Sequence, residues 1–139
     1  MKISTKGRYA LLVMLDLAEH QAEDFIPLKD IAKRQDISEK YLESIIKLLV
    51  KHKLLIGLRG KGGGYRLMKN PSDITVGEVL RIAEENIMID NEDIENMHRT
   101  SEYRTIDMWD KLSKMINNYF DSISIADLIV EDPGNDFII

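Results

Sequence analysis

The fold of this chain follows from residues 38–67, SEKYLESIIKLLVKHKLLIGLRGKGGGYRL. Their first half predicts an amphipathic helix from the N-cap Ser38 through Lys53, because apolar residues recur at intervals of three and four. These residues are Leu42, Ile45, Ile46, Leu49 and Val50. Residues 54–59 then predict a β-strand, 60–64 a flexible glycine-rich tip, and 65–67 a returning strand. A helix followed directly by a β-hairpin is typical of a winged helix.

The preceding residues complete a helix-turn-helix pattern. Residues 8–20 contain an apolar run and no internal glycine or proline, which predicts a buried central helix. A short helix is expected over residues 28–35, and Asp36 and Ile37 form the break before the next helix. Two short helices joined by a tight turn are the signature of a helix-turn-helix.

The C-terminal half predicts two further helices separated by a loop. Thr75 and Glu78 form a capping box for a helix that runs through Glu85. Residues 86–102 are polar and acidic and predict a loop, whereas a long helix is expected over about 105–122. Its heptad-like seam predicts packing on the chain's own domain or on a second copy. The seam consists of Trp109, Leu112, Ile116, Tyr119 and Ile123.

Charge is divided unevenly along the 139 residues, which carry a formal net charge of -5. Residues 1–70 contain 14 Lys or Arg against 8 Asp or Glu, whereas residues 71–139 contain 5 against 16. No acidic residue occurs between Ser44 and Ser72, while seven Lys or Arg occur there. This pattern predicts that the first half binds a polyanion such as duplex DNA, because neutralisation of the phosphates by Lys and Arg releases counterions and so favours binding. The alternative is an ordinary solvated surface.

The composition also excludes several classes of protein. The chain contains no cysteine, which excludes disulfides, a catalytic thiol and thiolate-held metal clusters within it. The apolar run from Ala10 to Leu15 is only six residues long, and the N-terminus lacks a secretory apolar region. We therefore expect a cytoplasmic protein without a membrane anchor. Because no catalytic or metal-binding constellation is visible, we expect neither an enzyme nor a bound cofactor or metal.

The start of the second helix offers polar side chains of the kind that contact base edges in a major groove. They are Ser38, Lys40, Tyr41, Glu43 and Ser44, with Lys47 one turn further on. A carboxylate such as Glu43 suits the amino group of cytosine. The alternative is that Glu43 is an exposed residue that pairs with Lys47 at the next turn.

The glycine-rich tip is a candidate DNA-binding wing. Arg59 and Lys61 are expected to reach a phosphate or a narrow minor groove, while Gly62 and Gly63 allow close approach to the DNA backbone. The alternative is a plain hairpin turn. A strand pattern rather than a helix follows the tip, which argues against a nucleotide-binding loop.

Several motifs resemble the IscR/CymR-type bacterial winged-helix regulators of the Rrf-two (Rrf2) family. They are MKISTKGRYA at 1–10, PLKDIA at 27–32, ISEKYLE at 37–43, LRGKGGGY at 58–65 and TVGE at 75–78. The resemblance spans nearly the whole chain. It implies a dimeric transcription factor, often a repressor, whose recognition helices enter successive major grooves while its wings touch the flanking minor grooves.

The resemblance also implies roles for single residues. It places major-groove contacts on Ser38, Tyr41 and Glu43, wing contacts on Arg59, Lys61 and Gly62, and phosphate contacts on Thr5, Lys6 and Arg8. The helix that contains Trp109 corresponds to the dimerisation helix. We therefore expect four regions: a winged helix-turn-helix DNA-binding domain over 1–85, an acidic linker or sensing loop over 86–103, a dimerisation helix region over 104–130, and a C-terminal tail over 131–139.

One departure from the family pattern bears on the signal that is sensed. Cluster-binding members carry three cysteines and often a histidine before the tryptophan of the dimerisation helix. Counted back from Trp109, these positions hold Asn91, Met97, Tyr103 and Ile106. The chain therefore resembles the cluster-free CymR branch, which represses sulfur-uptake and cysteine-biosynthesis genes together with cysteine synthase.

The C-terminal tail suggests how such a partner would bind. Its residues Asp136, Phe137, Ile138 and Ile139 resemble the C-terminal peptide by which serine acetyltransferases occupy the active site of cysteine synthase. Our hypothesis is that this tail docks into cysteine synthase (O-acetylserine thiol-lyase); the alternative is an ordinary frayed terminus. The competing hypothesis for the whole chain is a sensor of the same fold that responds to a small ligand, or to a redox or iron signal, through the 86–103 loop.

Overall fold

A computed structural model describes residues 3–84 and 100–129 of the chain. Within these ranges the regular elements are α1 (Thr5–Glu19), α2 (Leu28–Gln35), α3 (Glu39–Lys51), β1 (Leu55–Leu58), β2 (Gly64–Leu67), α4 (Val76–Ala83) and α5 (Thr100–Asp121). The predicted architecture, mainly α-helical with a small β-wing, is confirmed. The predicted C-terminal tail and residues 86–99 of the predicted acidic loop lie outside the described residues.

Helix α1 is the central element of the core. It begins earlier than residue 8, where the apolar pattern places it, because the side chain of Ser4 caps it by accepting a hydrogen bond from the backbone N–H of Gly7 at 3.3 Å. Its buried face packs against α2, α3 and α4. The core side chains that α1 contributes are Ala10, Val13, Met14 and Leu17.

Helices α2 and α3 form the predicted helix-turn-helix. Asp36 ends α2 in the left-handed conformation, with φ at 54°, and the backbone N–H of Ile37 donates to the carbonyl of Ala32 at 3.0 Å. The hydroxyl of Ser38 then accepts from the backbone N–H of Tyr41 at 3.2 Å and starts α3. The predicted apolar face of α3 is buried at Leu42, Ile45, Ile46 and Leu49, whereas Val50 lies at its edge and is exposed.

Strands β1 and β2 form the predicted hairpin. They pair antiparallel, with Leu55 opposite Leu67 and Leu58 opposite Gly64. Backbone hydrogen bonds of 2.9 Å in both directions between Ile26 and Tyr65 attach the hairpin to the segment before α2. The wing is therefore held against the helix-turn-helix through its second strand.

Two predicted boundaries in the C-terminal half are wrong. Helix α4 ends at Ala83, because Glu84 turns to extended backbone and its carboxylate accepts hydrogen bonds of 2.6 Å from the backbone and side chain of Ser4. Helix α5 begins at Thr100 and so includes the end of the predicted 86–103 loop. A polar stretch without glycine or proline extends a helix readily, since each added residue gains one backbone hydrogen bond.

The predicted seam of α5 divides between two faces. Ile116 and Ile123, together with Phe120, pack against Val76 and Leu80 of α4 in the same chain. The apolar residues on the exposed face are instead Met108, Leu112, Met115 and Tyr119. Trp109 is partly buried. The packing of α4 makes this division, because it covers Ile116 and Phe120 and leaves Met115 and Tyr119 exposed.

In the part of the chain that the structure describes, no helix combines the length and apolar character of a membrane span.

Candidate nucleic-acid interface

Helix α3 presents a polar face opposite its buried one. Its first residues, from Ser38 to Ser44, are exposed except for the core residue Leu42. The exposed side chains on this helix include all of its predicted DNA-binding residues. They are Ser38, Lys40, Tyr41, Glu43, Ser44 and Lys47. A helix with this distribution can enter a groove without losing its core contacts.

The first turns of α1 lie beside the start of α3. The rings of Tyr9 and Tyr41 meet edge to face, with centroids 5.6 Å apart and planes at 74°. This contact restricts the orientation of Tyr41. Thr5 and Arg8 are exposed and Lys6 is half-buried on the same first turns of α1. The structure therefore brings this N-terminal group next to the start of α3.

Glu43 and Lys47 form an ion pair of 3.5 Å one turn apart on α3, with both side chains largely exposed. This is the arrangement that the alternative interpretation of Glu43 predicted. Exposed pairs of this kind stabilise a helix by only about 0.3–0.5 kcal/mol. Glu43 can therefore exchange its partner for a base amino group, and Lys47 for a phosphate, at little cost.

A groove of about 700 Å³ separates α3 from the wing. Glu43 and Lys47 line its helix side, and Arg59 lines its wing side. Leu58 and Val50 supply apolar surface between them. The groove therefore brings together candidate residues of the recognition helix and of the wing that are separated by more than ten positions in the sequence.

Gly62 and Gly63 of the wing are explained by two different structural constraints. Gly62 has φ at 77° and is exposed, a backbone conformation that glycine adopts without the steric cost of a side chain. A side chain at Gly63 would collide with the carbonyl of Leu58, so glycine is required there by the packing of the hairpin itself. Lys61 precedes both glycines at the exposed tip. The plain-turn alternative therefore accounts for Gly63 without any ligand.

A buried ion pair that was not among the predictions from sequence fixes α2 on α1. Asp16 is only 1% exposed, and its carboxylate accepts from Nε and Nη2 of Arg34 at 3.0 and 2.8 Å and from Nε2 of Gln35 at 2.9 Å. Hydrogen bonding to Asp16 raises the pKa of the Arg34 guanidinium above its ordinary value. A lone acidic residue within the apolar run of α1 was the signal for such a partner.

The residues present do not suit a thiolate-held metal cluster. The chain has no cysteine, and the positions that correspond to the family's ligands hold Asn91, Met97, Tyr103 and Ile106. Isoleucine offers no ligand atom, and Asn91 and Met97 lie outside the described residues. Within 3–84 and 100–129, no group of three or more metal-binding side chains comes together.

Comparisons with known proteins agree with this geometry. The model of the Rrf2 family, described as iron-dependent transcriptional regulators, matches residues 3–131. The HTH-type transcriptional regulator IscR of Aliivibrio salmonicida (strain LFI1238) is 39% identical over 133 residues, which cover 95% of this chain and 79% of that protein.

Two solved structures are also similar. The structure of T. potens IscR is 37% identical with a TM-score of 0.76, and the match covers 100% of this chain and 93% of that one. The structure of CymR, described as the global cysteine regulator of B. subtilis, is 34% identical with a TM-score of 0.79, and the match covers 92% of this chain and 95% of that one.

Proposed function

Because the chain belongs to the Rrf2 family of winged-helix transcriptional regulators, we propose that it acts as a homodimer that reads two DNA half-sites, one with each copy of α3. Transcription regulation and DNA binding follow from the family. The observation that carries the assignment to this surface is the run from Ser44 to Ser72, which has no acidic residue and folds into the groove-lining parts of α3 and the wing.

In this proposal the exposed face of α3 reads the bases. Tyr41 is oriented by Tyr9, and Glu43 exchanges its ion pair with Lys47 for a cytosine amino group, which frees Lys47 for a phosphate. The other base-side candidates, Ser38, Lys40 and Ser44, lie on the same exposed helix start. Base contacts supply sequence preference, whereas phosphate contacts supply most of the affinity and its salt dependence.

The phosphate contacts come from both flanks of α3 in this proposal. Arg59 and Lys61, with the backbone of Gly62 and Gly63, approach the DNA from the wing. On the other flank the first turn of α1 carries Thr5, Lys6 and Arg8, which the ring contact between Tyr9 and Tyr41 brings beside α3. Each Lys or Arg that neutralises a phosphate adds about one unit to the slope of log affinity against log salt.

The dimer contact is assigned to the exposed stripe of α5. Met108, Leu112, Met115 and Tyr119 recur at intervals of four, three and four, which is the spacing of a helix-helix seam. Met115 is 68% exposed and Tyr119 is 64% exposed. Of the seam residues predicted from sequence, Leu112 and Tyr119 belong to this stripe and Trp109 lies at its border, while Ile116 and Ile123 support it from the α4 side.

The regulated genes are proposed to be those of cysteine and sulfur metabolism, with the protein as their repressor. The likeness to CymR of B. subtilis and the absence of cysteine from the chain support this assignment. The tail residues Asp136, Phe137, Ile138 and Ile139 lie outside the described residues, and their proposed docking into cysteine synthase rests on the sequence resemblance alone.

The first experiment is fluorescence anisotropy with duplexes from upstream of the protein's own gene and of sulfur-assimilation genes, against shuffled duplexes, over a salt series. We expect tight, salt-sensitive and sequence-selective binding to one or more of these duplexes. Weak binding that is indifferent to sequence, both alone and with cysteine synthase added, would contradict the assignment to sulfur genes.

The second candidate function is a sensor of the same family that acts without a partner enzyme, and the similarity to relatives named IscR favours it. Cysteine synthase separates the two candidates. If the enzyme changes DNA binding, and O-acetylserine reverses that change, the partner-dependent repressor is supported. If deletion of Ile138 and Ile139 leaves binding to cysteine synthase unchanged, the docking hypothesis for the tail is wrong.

A further inference from the structure

Helix α4 is the layer that joins the DNA-binding helices to α5. On one side, Glu84 at its C-terminal end accepts two hydrogen bonds from Ser4 at the start of α1. On the other side, Val76 and Leu80 pack against α5. A backbone hydrogen bond of 2.8 Å from the N–H of Val76 to the carbonyl of Ile123 also joins the segment after α5 to the start of α4. The orientation of α5 relative to the DNA-binding helices therefore depends on its contacts with α4.

The apolar part of the α4–α5 contact has little directional preference, because burial of apolar area does not specify an angle. The hydrogen bonds of this contact do specify an angle between the two helices. Nη1 of Arg81 donates to Oδ1 of Asn117 at 3.1 Å, and Nη2 donates to Oδ1 of Asp121 at 2.6 Å. Asn117 and Asp121 lie one turn apart on α5, so the planar guanidinium holds two successive turns of α5 at once.

Gly77 makes this contact possible. It lies one turn before Arg81 on α4, and a side chain there would collide with Oδ1 of Asp121 and would lie 3.0 Å from Nη1 of Arg81. Gly77 is in the helical part of α4 and lacks the positive φ that would otherwise explain a glycine. Its place is explained by the approach of Asp121. We call Gly77, Arg81, Asn117 and Asp121 the α4–α5 clasp.

We infer that the α4–α5 clasp sets the angle between α5 and the DNA-binding helices, and thereby the half-site spacing that the dimer accepts. This inference rests on the proposed dimer. If the two copies associate through α5, the separation of their α3 helices depends on that angle in each copy. One base pair corresponds to about 3.4 Å along the DNA axis, so a shift of that size at α3 changes the preferred spacing by one base pair. Arg81 is thus a positioning residue that acts without contacting DNA.

The clasp is suited to this role because it contributes little to stability. The side chains of Arg81 and Asp121 are 45% and 43% exposed, and exposed ion pairs stabilise proteins only weakly. Its removal is therefore expected to leave the fold and the buried apolar contact intact. Without the clasp, the angle between α5 and the DNA-binding helices is no longer fixed. A measurement of overall stability does not detect this change.

The test uses duplexes that the wild-type protein enriches from a random-sequence pool. From one enriched two-half-site duplex we would prepare versions with the spacing changed by one and two base pairs, and a duplex with a single half-site. We expect Arg81→Ala to reduce the wild-type preference for the selected spacing by about fivefold or more, since the second half-site is then bound at a lower effective concentration. Affinity for the single half-site and the dimer content in sedimentation velocity are expected to stay unchanged.

Three further variants make the result specific. Gly77→Ala should cause the same loss of spacing preference, although alanine favours the helix over glycine. The exchange of Arg81→Asp with Asp121→Arg should recover part of the preference. Glu78→Ala is the matched control, because it removes an exposed ion pair of α4 that joins Lys69 at 3.2 Å and does not reach α5.

An unchanged spacing preference in Arg81→Ala would overturn the inference. So would an equal loss of affinity on single and double half-sites, since that result would indicate general damage to the DNA-binding helices. Failure of the wild-type protein to enrich any two-half-site duplex would instead refute the proposed dimeric function, and the variants are not needed to see it.

Discussion

Removal of either partner of the Asp16–Arg34 ion pair should destabilise the protein, but by different amounts. In Arg34→Ala the carboxylate of Asp16, whose side chain is fully buried, keeps the hydrogen bond from Gln35 and a contact of 3.8 Å with Nδ1 of His20. Stranding a buried charge in this way costs about 3–5 kcal/mol. In Asp16→Ala the stranded group is the guanidinium of Arg34, whose side chain is 33% exposed and can turn to water. The cost there is the lost charge-assisted hydrogen bonding, about 1.5–3 kcal/mol.

The assay is urea unfolding of the full chain at one fixed protein concentration, because a dimer's apparent stability depends on concentration. The double variant should be more stable than Arg34→Ala alone, since it leaves no unpaired buried charge. Lys47→Ala is the control for a surface pair and should change the free energy of unfolding by less than about 0.5 kcal/mol. The reasoning is refuted if Asp16→Ala costs as much as Arg34→Ala, or if the double variant is the least stable of the three.

Three other predictions concern DNA binding and assembly. Arg59→Ala or Lys61→Ala should lower affinity on all DNA sequences alike and reduce the slope of log affinity against log salt by about one unit per lost phosphate contact. Fluorescence anisotropy over a salt series measures this slope. An unchanged slope would show that the substituted residue does not contact a phosphate. Glu43→Ala should relax preference at one base pair by about 1–3 kcal/mol, and equal losses on specific and shuffled DNA would contradict that role. Met115→Glu should shift the protein to monomers in sedimentation velocity. Asn118→Glu, which is also on the exposed surface of α5, should leave the dimer intact. If Met115→Glu still forms dimers, the dimer contact does not lie on this stripe of α5.

Local patterns were sufficient for most of the DNA-binding half. Apolar periodicity predicted the buried residues of α3 and the hairpin after it. Capping and turn residues predicted the helix start at Ser38 and the turn at Asp36. Such features depend on residues within one or two turns of each other, so a reader of the sequence has all the interacting groups in view. The family motifs overlap with the same segments.

The functional candidates were predictable as a set, but their arrangement was not. The absence of acidic residues between Ser44 and Ser72 indicated the basic surface. The sequence left open whether Glu43 pairs with Lys47, and the structure shows that it does. That Gly63 is needed by the hairpin itself became clear only from the atoms around it. Residue type and spacing identify what a side chain can do, whereas its available partners depend on what the fold places beside it.

The two faces of α5 show most clearly what could not be predicted from the sequence. Heptad spacing predicted a single seam that contains Ile116, Tyr119 and Ile123, and the period alone does not say which side of that seam is covered. The packing of α4 on Ile116 decided it. The ion pair of Asp16 with Arg34 is likewise a contact across 18 positions, and that of Arg81 with Asp121 is one across 40.

The sequence thus determined the helices, the wing, the family and the charge of the DNA-binding surface, because these depend on short-range periodicity, caps and composition. The tertiary structure alone decided which apolar stripe of α5 stays exposed, how α2 is fixed on α1, and how α4 holds α5. Those contacts join residues far apart in the chain, and they form only when apolar burial has already brought the helices together.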